Sequence, residues 1–302
     1  MWIVSNVELG DKFSEHATRH LLAAEKLGID ARLVQPLDLA YLCIPGRSET
    51  LVVSENWTQW GSPKVCLFLD KDHETAHGLE QAGVRVVNSA TTIEQCADKR
   101  TMHRSLNRAG IPAPTTAILA RPYPRQPHHR DQVLRVANLM GYPLVVKAAK
   151  GSFGAQVFVA NHPEELLDLL DTENLQEVLL QELITTSHGV GIRVHVVAGR
   201  TVAALRQQST DGRLQANLTQ GGIGESIKPS ELESNLAIAA ADAVGAFYAG
   251  VDLLVGPEDS RLVCEVNSNA HVSRLSEITG IDCAGILIKE LQTHFFNFDR
   301  SP

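Results

Sequence analysis

Gly250-Val-Asp252 and, past the polar turn Gly256-Pro-Glu-Asp-Ser260, Cys264-Glu265-Val-Asn267 form the stretch that decides how this chain is read. Apolar residues flank both ends: Val251, Leu253 and Leu254 before the turn, Leu262 and Val263 after it. Two apolar runs around Gly and Pro signal a hairpin. Side chains two apart on a strand share a face, so Glu265 and Asn267 point together, with Val266 expected on the opposite side. A turn near Glu258 and Asp259 sets Asp252 roughly opposite Glu265. Three oxygen donors then meet on one sheet face, and hard oxygen ligands in that number suit Mg²⁺. The competing reading is a pair of acids on a solvated strand face. The apolar flanks weigh against it, because carboxylates buried beside them without a partner are expensive.

Working outward, the N-terminal part alternates short apolar runs with helical patterns. Strands are predicted at 2–4, 31–34, 51–53, 65–69 and 84–87, and helices at 14–27 and 74–82, each stopped by a glycine. Such alternation predicts an α/β region with a parallel sheet covered on both faces. No GxGxxG follows the first strand, which removes the usual dinucleotide fingerprint. Thr91-x-x-Glu94 reads as a capping box for a helix running to Arg108, stopped by Gly110-Ile-Pro-Ala-Pro114. Beyond it come strands at 116–119, 144–147, 156–159 and 178–184, with helices at 131–140 and 161–170. A hairpin is predicted from 192–197 and 201–207. Ser230-x-x-Glu233 opens a helix to about Tyr248, and a last helix spans 284–295.

The composition sets limits. In 302 residues, 44% are hydrophobic and 21% charged, enough for a large core in two or three lobes. A net charge of -8 and a pI of 5.8 give no general attraction for nucleic acid or anionic membrane, so neither is expected as a partner. No run approaches the about 20 apolar residues a membrane span requires, and no signal segment opens the chain; a soluble cytoplasmic protein is expected. Cys43, Cys66, Cys96, Cys264 and Cys283 contain no CxxC pair, which argues against a zinc ribbon and predicts buried free thiols.

An acidic chain that binds phosphate must do so with local cations. Lys147 ends the apolar run Pro143-Leu-Val-Val, where a buried ammonium is costly without an anion. The loop Lys150-Gly151-Ser152-Phe-Gly154 could bring backbone N–H groups close to phosphate, although it is not a Walker A loop. Arg193, between Ile192 and Val194 on a strand, must leave the core or pair with an anion. Lys99 reads from its surroundings as an ordinary helix lysine.

Taken in order, Asp98-Lys99, Gly110-Ile-Pro-Ala-Pro114, Pro143-Leu-Val-Val-Lys147, Gln181-Glu182-Leu-Ile184, Gly191-Ile-Arg193, Asn217-Leu218, Gly250-Val-Asp252, Glu265-Val-Asn267 and Thr279-Gly-Ile-Asp282 resemble the ATP-grasp superfamily. Within it they resemble the RimK-like α-L-glutamate ligases and glutathione synthetase. That resemblance implies an ATP-grasp fold: an N-terminal α/β lobe at 1–95, a central lobe at 96–184 and a C-terminal lobe at 185–302. It implies ATP between the last two lobes. Lys99 and Lys147 would meet the phosphates, the loop Lys150, Gly151, Ser152 and Gly154 would cover them, and Gln181, Glu182, Leu183 and Ile184 would hold adenine. Asp252, Glu265 and Asn267 would hold one or two Mg²⁺ ions, with Mn²⁺ as a substitute. Arg193 and Asn217 would face the γ-phosphate and an acyl phosphate. The implied activity is a carboxylate–amine ligase adding glutamate or another amino acid to an amine acceptor: an amino acid, a peptide or a protein terminus. A homo-oligomer is compatible with this reading.

The chain departs from the family pattern at Gly191, where an acid for ribose is expected, and at Gln207 and Gln208, where arginines are expected. After Asn267 the run Ser268-Asn-Ala-His271 replaces the usual Ser-Pro-Gly, and His271 there is either a surface histidine or a group touching substrate. These departures define the alternative expectation, an ATP-binding regulatory or assembly module with weakened catalysis.

Overall fold

The structure is a computed structural model that describes residues 1–123, 128–151, 156–173, 175, 177–214, 216 and 221–296. The chain opens with β1 (Trp2–Val4), α1 (Asp11–Lys26), β2 (Arg32–Val34), β3 (Ala40–Leu42), β4 (Leu51–Val53), α2 (Glu55–Trp60), β5 (Val65–Phe68), α3 (His73–Gln81) and β6 (Arg85–Val87). A sheet in the order β2-β1-β5-β6 is parallel throughout. Its strands alternate strictly. Ile3, Val65 and Leu67 pack on one side with α1, whereas Trp2, Val4, Cys66 and Phe68 pack on the other with α3. Burial on both faces is why the two central strands, β1 and β5, are apolar at every position. The run 51–53 does not join this sheet; it pairs antiparallel with β3 as a separate ribbon, with only Val52 buried.

The helix predicted from a Thr91 capping box is two helices, α4 (Ala90–Ala97) and α5 (Lys99–Arg108). Ser89 caps the first by accepting from the Thr92 N–H. The break falls at Asp98, whose extended backbone lets its carboxylate accept from the Arg100 N–H at 2.9 Å. A side-chain cap supplies the partner that the first turn of a new helix lacks. Below the cap, Met102 and Leu106 are fully buried.

Next come β7 (Thr116–Ile118), α6 (Arg130–Met140), β8 (Leu144–Ala148), β9 (Val157–Ala160), α7 (Pro163–Thr172) and β10 (Val178–Glu182). They form an antiparallel sheet, β7-β10-β8-β9. Leu144, Val146, Val178 and Leu180 pack with α6 and α7. The alternate residues, Val145, Lys147 and Gln181, turn to the opposite face, and that face is one wall of the main cleft.

The last region holds β11 (Val190–Val197), β12 (Arg200–Gln208), β13 (Ile223–Ser226), α8 (Glu231–Ala243), β14 (Tyr248–Val255), β15 (Arg261–Asn267), α9 (Ser273–Thr279) and α10 (Cys283–Leu291). The sheet runs β13-β12-β11-β14-β15. The Ser230–Glu233 capping box is present. Its helix stops at Ala243, not at Tyr248, because Gly245 takes φ +71° and turns the chain into β14. The last helix ends at Leu291, and 292–296 form a wider turn. One face of the sheet buries Val194, Val196, Val251, Val263 and Val266 with Met102, Leu106 and α8. The other face begins apolar, with Val197 and Tyr248 packed among α10 and the N-terminal sheet. Asn88, just after β6, ties these parts together: its amide donates to Tyr248 O and Ser268 O, each at 2.8 Å, and its carbonyl accepts from Phe247 N.

Candidate active site

Further along β14, the face that holds Tyr248 turns polar. Asp252 lies directly opposite Glu265 on β15, and Gly250 opposite Asn267. The pairing slips between Asp252 and Leu253, leaving Cys264 as an extra residue. Strict alternation would place Val263 on the same side as Glu265. The bulge is what buries both Val263 and Val266 while Cys264, Glu265 and Asn267 reach the cleft.

Arg193 on β11 is the other cross-strand neighbour of Asp252. Its Nε donates to Asp252 Oδ1 at 2.7 Å and its Nη2 to Oδ2 at 2.6 Å, a bidentate pair. Burial opposes charge on Arg193, but Asp252 and then Glu265 more than offset it, and the pKa of the guanidinium rises. Asn267 Nδ2 also donates to Asp252 Oδ2 at 3.2 Å. The Glu265 side chain is half-buried and makes no hydrogen bond or ion pair with the described residues. A desolvated carboxylate without a donor fits a cation, with Asp252 and the carbonyl oxygen of Asn267 beside it.

Across the cleft, Lys147 is buried; its Nζ donates to Gln181 Oε1 at 2.5 Å and lies 3.7 Å from Cys264 Sγ. The Gln181 amide nitrogen donates to Thr116 Oγ1 and faces His103 Nε2 at 3.1 Å. Burial, reinforced by Lys147 and Lys99, lowers the pKa of His103 to about 4, so it is neutral. Lys99 Nζ reaches over to donate to Gly151 O at 3.2 Å, and the Lys99 N–H donates to Ala149 O.

One cleft of about 710 Å³ joins these groups. Its wall includes Lys99, Lys147, Gly151, Gln181, Glu182, Leu183, Ile184, Arg193, Asp252, Glu265 and Asn267. Lys150 is not on that wall; its ammonium is exposed and lies 4.0 Å from Glu177. Ser152, Gly154 and Asn217 lie outside the described residues.

The structure adds lining residues that the sequence did not single out. Lys12, Asp70, Lys71 and Arg274 border the end nearest the N-terminal sheet, where His271 also lies. Burial lowers the pKa of Lys71 against the pull of Glu265, with Lys99 adding to the lowering. Asp70 and Lys71 follow β5 closely, and crevices beyond the carboxyl ends of parallel strands are where such sheets bind ligands. That placement was the available signal. Cys264, expected to be a buried free thiol, borders the cleft, and burial raises its pKa despite Lys147. Cys43 is exposed, against the expectation of buried thiols.

The fold is that of ATP-grasp ligases: the ligase PsnB, solved with a minimal precursor, Mg and ADP, superposes with a TM-score of 0.70 at 18% identity, covering 98% of each chain. Residues 96–291 match the RimK-like ATP-grasp domain, and the chain belongs to that family. Relatives include β-citrylglutamate synthase B of Danio rerio, 34% identical over 72% of this chain and 53% of its own length. N-acetylaspartylglutamate synthase A of Homo sapiens is 32% identical over 74% of this chain and 56% of its own. The chain thus spans about half the length of these curated relatives. Among the described residues, no helix is long and apolar enough to cross a membrane.

Proposed function

We propose that this chain is an ATP- and Mg²⁺-dependent carboxylate–amine ligase, with a small carboxylate and an amino acid such as glutamate as its substrates. The observation that carries the reading is the single cleft that sets Lys99 and Lys147 across from Asp252, Glu265 and Asn267. Family membership supports it, as do relatives named as synthases of citrylglutamate and acetylaspartylglutamate.

In this reading, Lys147 and Lys99 exchange their protein oxygen partners for phosphate oxygens and neutralise them. The segment Gln181 to Ile184 borders the nucleotide base. Glu265, Asp252 and Asn267 hold Mg²⁺, which supplies Lewis-acid charge neutralisation to the phosphates. Arg193 leaves Asp252 in part and donates to the transferred phosphoryl group, a role in which preorganised donors lower barriers. A carboxylate becomes reactive once phosphorylated, because phosphate rather than oxide then departs; an amine attacks and an amide forms. Lys12, Lys71 and Arg274 border the cleft where an anionic substrate would lie.

The test is ADP and phosphate release from purified protein with paired carboxylates and amines. Release that requires both partners supports the ligase. Tight ATP binding with no turnover across a broad panel supports the regulatory module instead, for which the neutral Gln207 on the cleft wall is the favouring observation.

A further inference from the structure

A second cluster of metal-ligating side chains lies outside the cleft, on the helices that cover the N-terminal sheet. His73 and His77 are four residues apart on α3 and therefore share one helical face. Glu94 meets them from α4. One ligand atom from each lies within 4.8 Å of the other two. His77 Nε2 is 3.8 Å from Glu94 Oε2, while the opposite ring nitrogen, Nδ1, is 3.7 Å from Glu80 Oε2. Glu80 is itself held, because its Oε1 accepts from the Ala90 N–H at 2.9 Å. His73 Nδ1 has a similar carboxylate, Glu74, at 3.7 Å. Neither 3.7 Å contact is a hydrogen bond, and His73 Nδ1 is buried without a hydrogen-bond partner, but each carboxylate sits on the ring edge where the outer partner of a metal-ligating histidine would lie.

We propose that His73, His77 and Glu94 form a Zn²⁺-class site that clamps α3 to α4, with its remaining coordination position open to water. Two imidazoles and one carboxylate are the donor set that borderline divalent ions prefer. The same set is poor for Mg²⁺, which takes oxygen ligands, so the site is chemically distinct from the Glu265 cluster. The clamp has a structural reach. Asp70 and Lys71, which border the main cleft, immediately precede α3. An ion on the first turn of α3 fixes the end of that segment.

Co²⁺ serves as a visible probe and Zn²⁺ as its competitor, using the intact, chelator-treated chain at neutral pH. The expected result is one equivalent of Co²⁺ giving the intense visible bands of a low-coordinate site. Zn²⁺ should remove them, and millimolar Mg²⁺ should not. His77→Ala and, separately, Glu94→Gln should weaken Zn²⁺ binding by tenfold or more. Glu265→Gln and His162→Ala should leave it unchanged. Both histidines are partly exposed, and Glu94→Gln keeps the shape of its side chain, so a folded variant is available if one of the others fails to fold. Absence of the Co²⁺ bands, or Zn²⁺ binding that survives His77→Ala and Glu94→Gln, overturns the proposal.

Discussion

Replacing Arg193 by Gln separates the two functions that the cleft places on Asp252. The Asp252 carboxylate is neutralised by a bidentate guanidinium, and the divalent cation proposed to bind there would displace or share that partner. Unit charges about 4 Å apart attract by about 4 kcal/mol at an effective dielectric of about 20. The two side chains are 31% and 22% exposed, so water screens the pair, and about 1–2 kcal/mol is a fair net value. Each 1.4 kcal/mol is a factor of ten. Arg193→Gln should therefore tighten Mn²⁺ binding to the nucleotide-free chain by about tenfold, read by electron paramagnetic resonance titration. The same change should lower turnover by about 100-fold or more, because the donor proposed for the transferred phosphoryl group is lost. Binding and catalysis should thus move in opposite directions in one variant. A folded Arg193→Gln protein with unchanged or weaker Mn²⁺ affinity would refute the competition.

Three further outcomes are expected. Lys147→Met should weaken nucleotide binding by about 100-fold, the worth of a charge-assisted hydrogen bond, while leaving thermal stability nearly unchanged; calorimetric titration with a non-hydrolysable nucleotide checks this, and retained affinity would remove Lys147 from the phosphate site. Asn88→Ala should destabilise the fold by about 3 kcal/mol, since it strips partners from buried main-chain groups at Phe247, Tyr248 and Ser268; urea unfolding measures the loss. Burial lowers His20 and His103 to about 4 and His195 to about 3. The unfolded chain, whose histidines titrate near their ordinary value, binds more protons below pH 6.5, so stability falls as pH drops through that value toward 4. At pH 5 each such histidine costs about 2 kcal/mol. Stability that is flat between pH 7 and 5 would contradict the buried neutral histidines.

The hairpin was legible because its information is local. Alternation, a Gly-Pro turn and two acids set Asp252 against Glu265 without reference to the rest of the chain. The break at Asp98 was hidden for the opposite reason. Residues 91–108 carry continuous helical character, and only the fit of Met102 under the large sheet, with Asp98 free to cap, decides where one helix stops. The Arg193 pairing needed the register of a third strand, which no local pattern gives. Lys71 and Arg274 reach the cleft only because the N-terminal sheet packs against the large one. Lys99 looked like a surface helix lysine; its contact with Gly151 depends on a neighbouring sheet far along the chain.

The helix that starts at Lys99 belongs to two bodies at once. Its shaft is sunk in the packing under the large antiparallel sheet, while its first N–H is bonded to Ala149, at the end of a strand in the smaller one. If the two walls of the cleft swing apart, this junction is the natural fulcrum. A side chain at a fulcrum travels least. Lys99, whose ammonium is bonded to Gly151, would then hold its station on the cleft wall while the two sheets tilt.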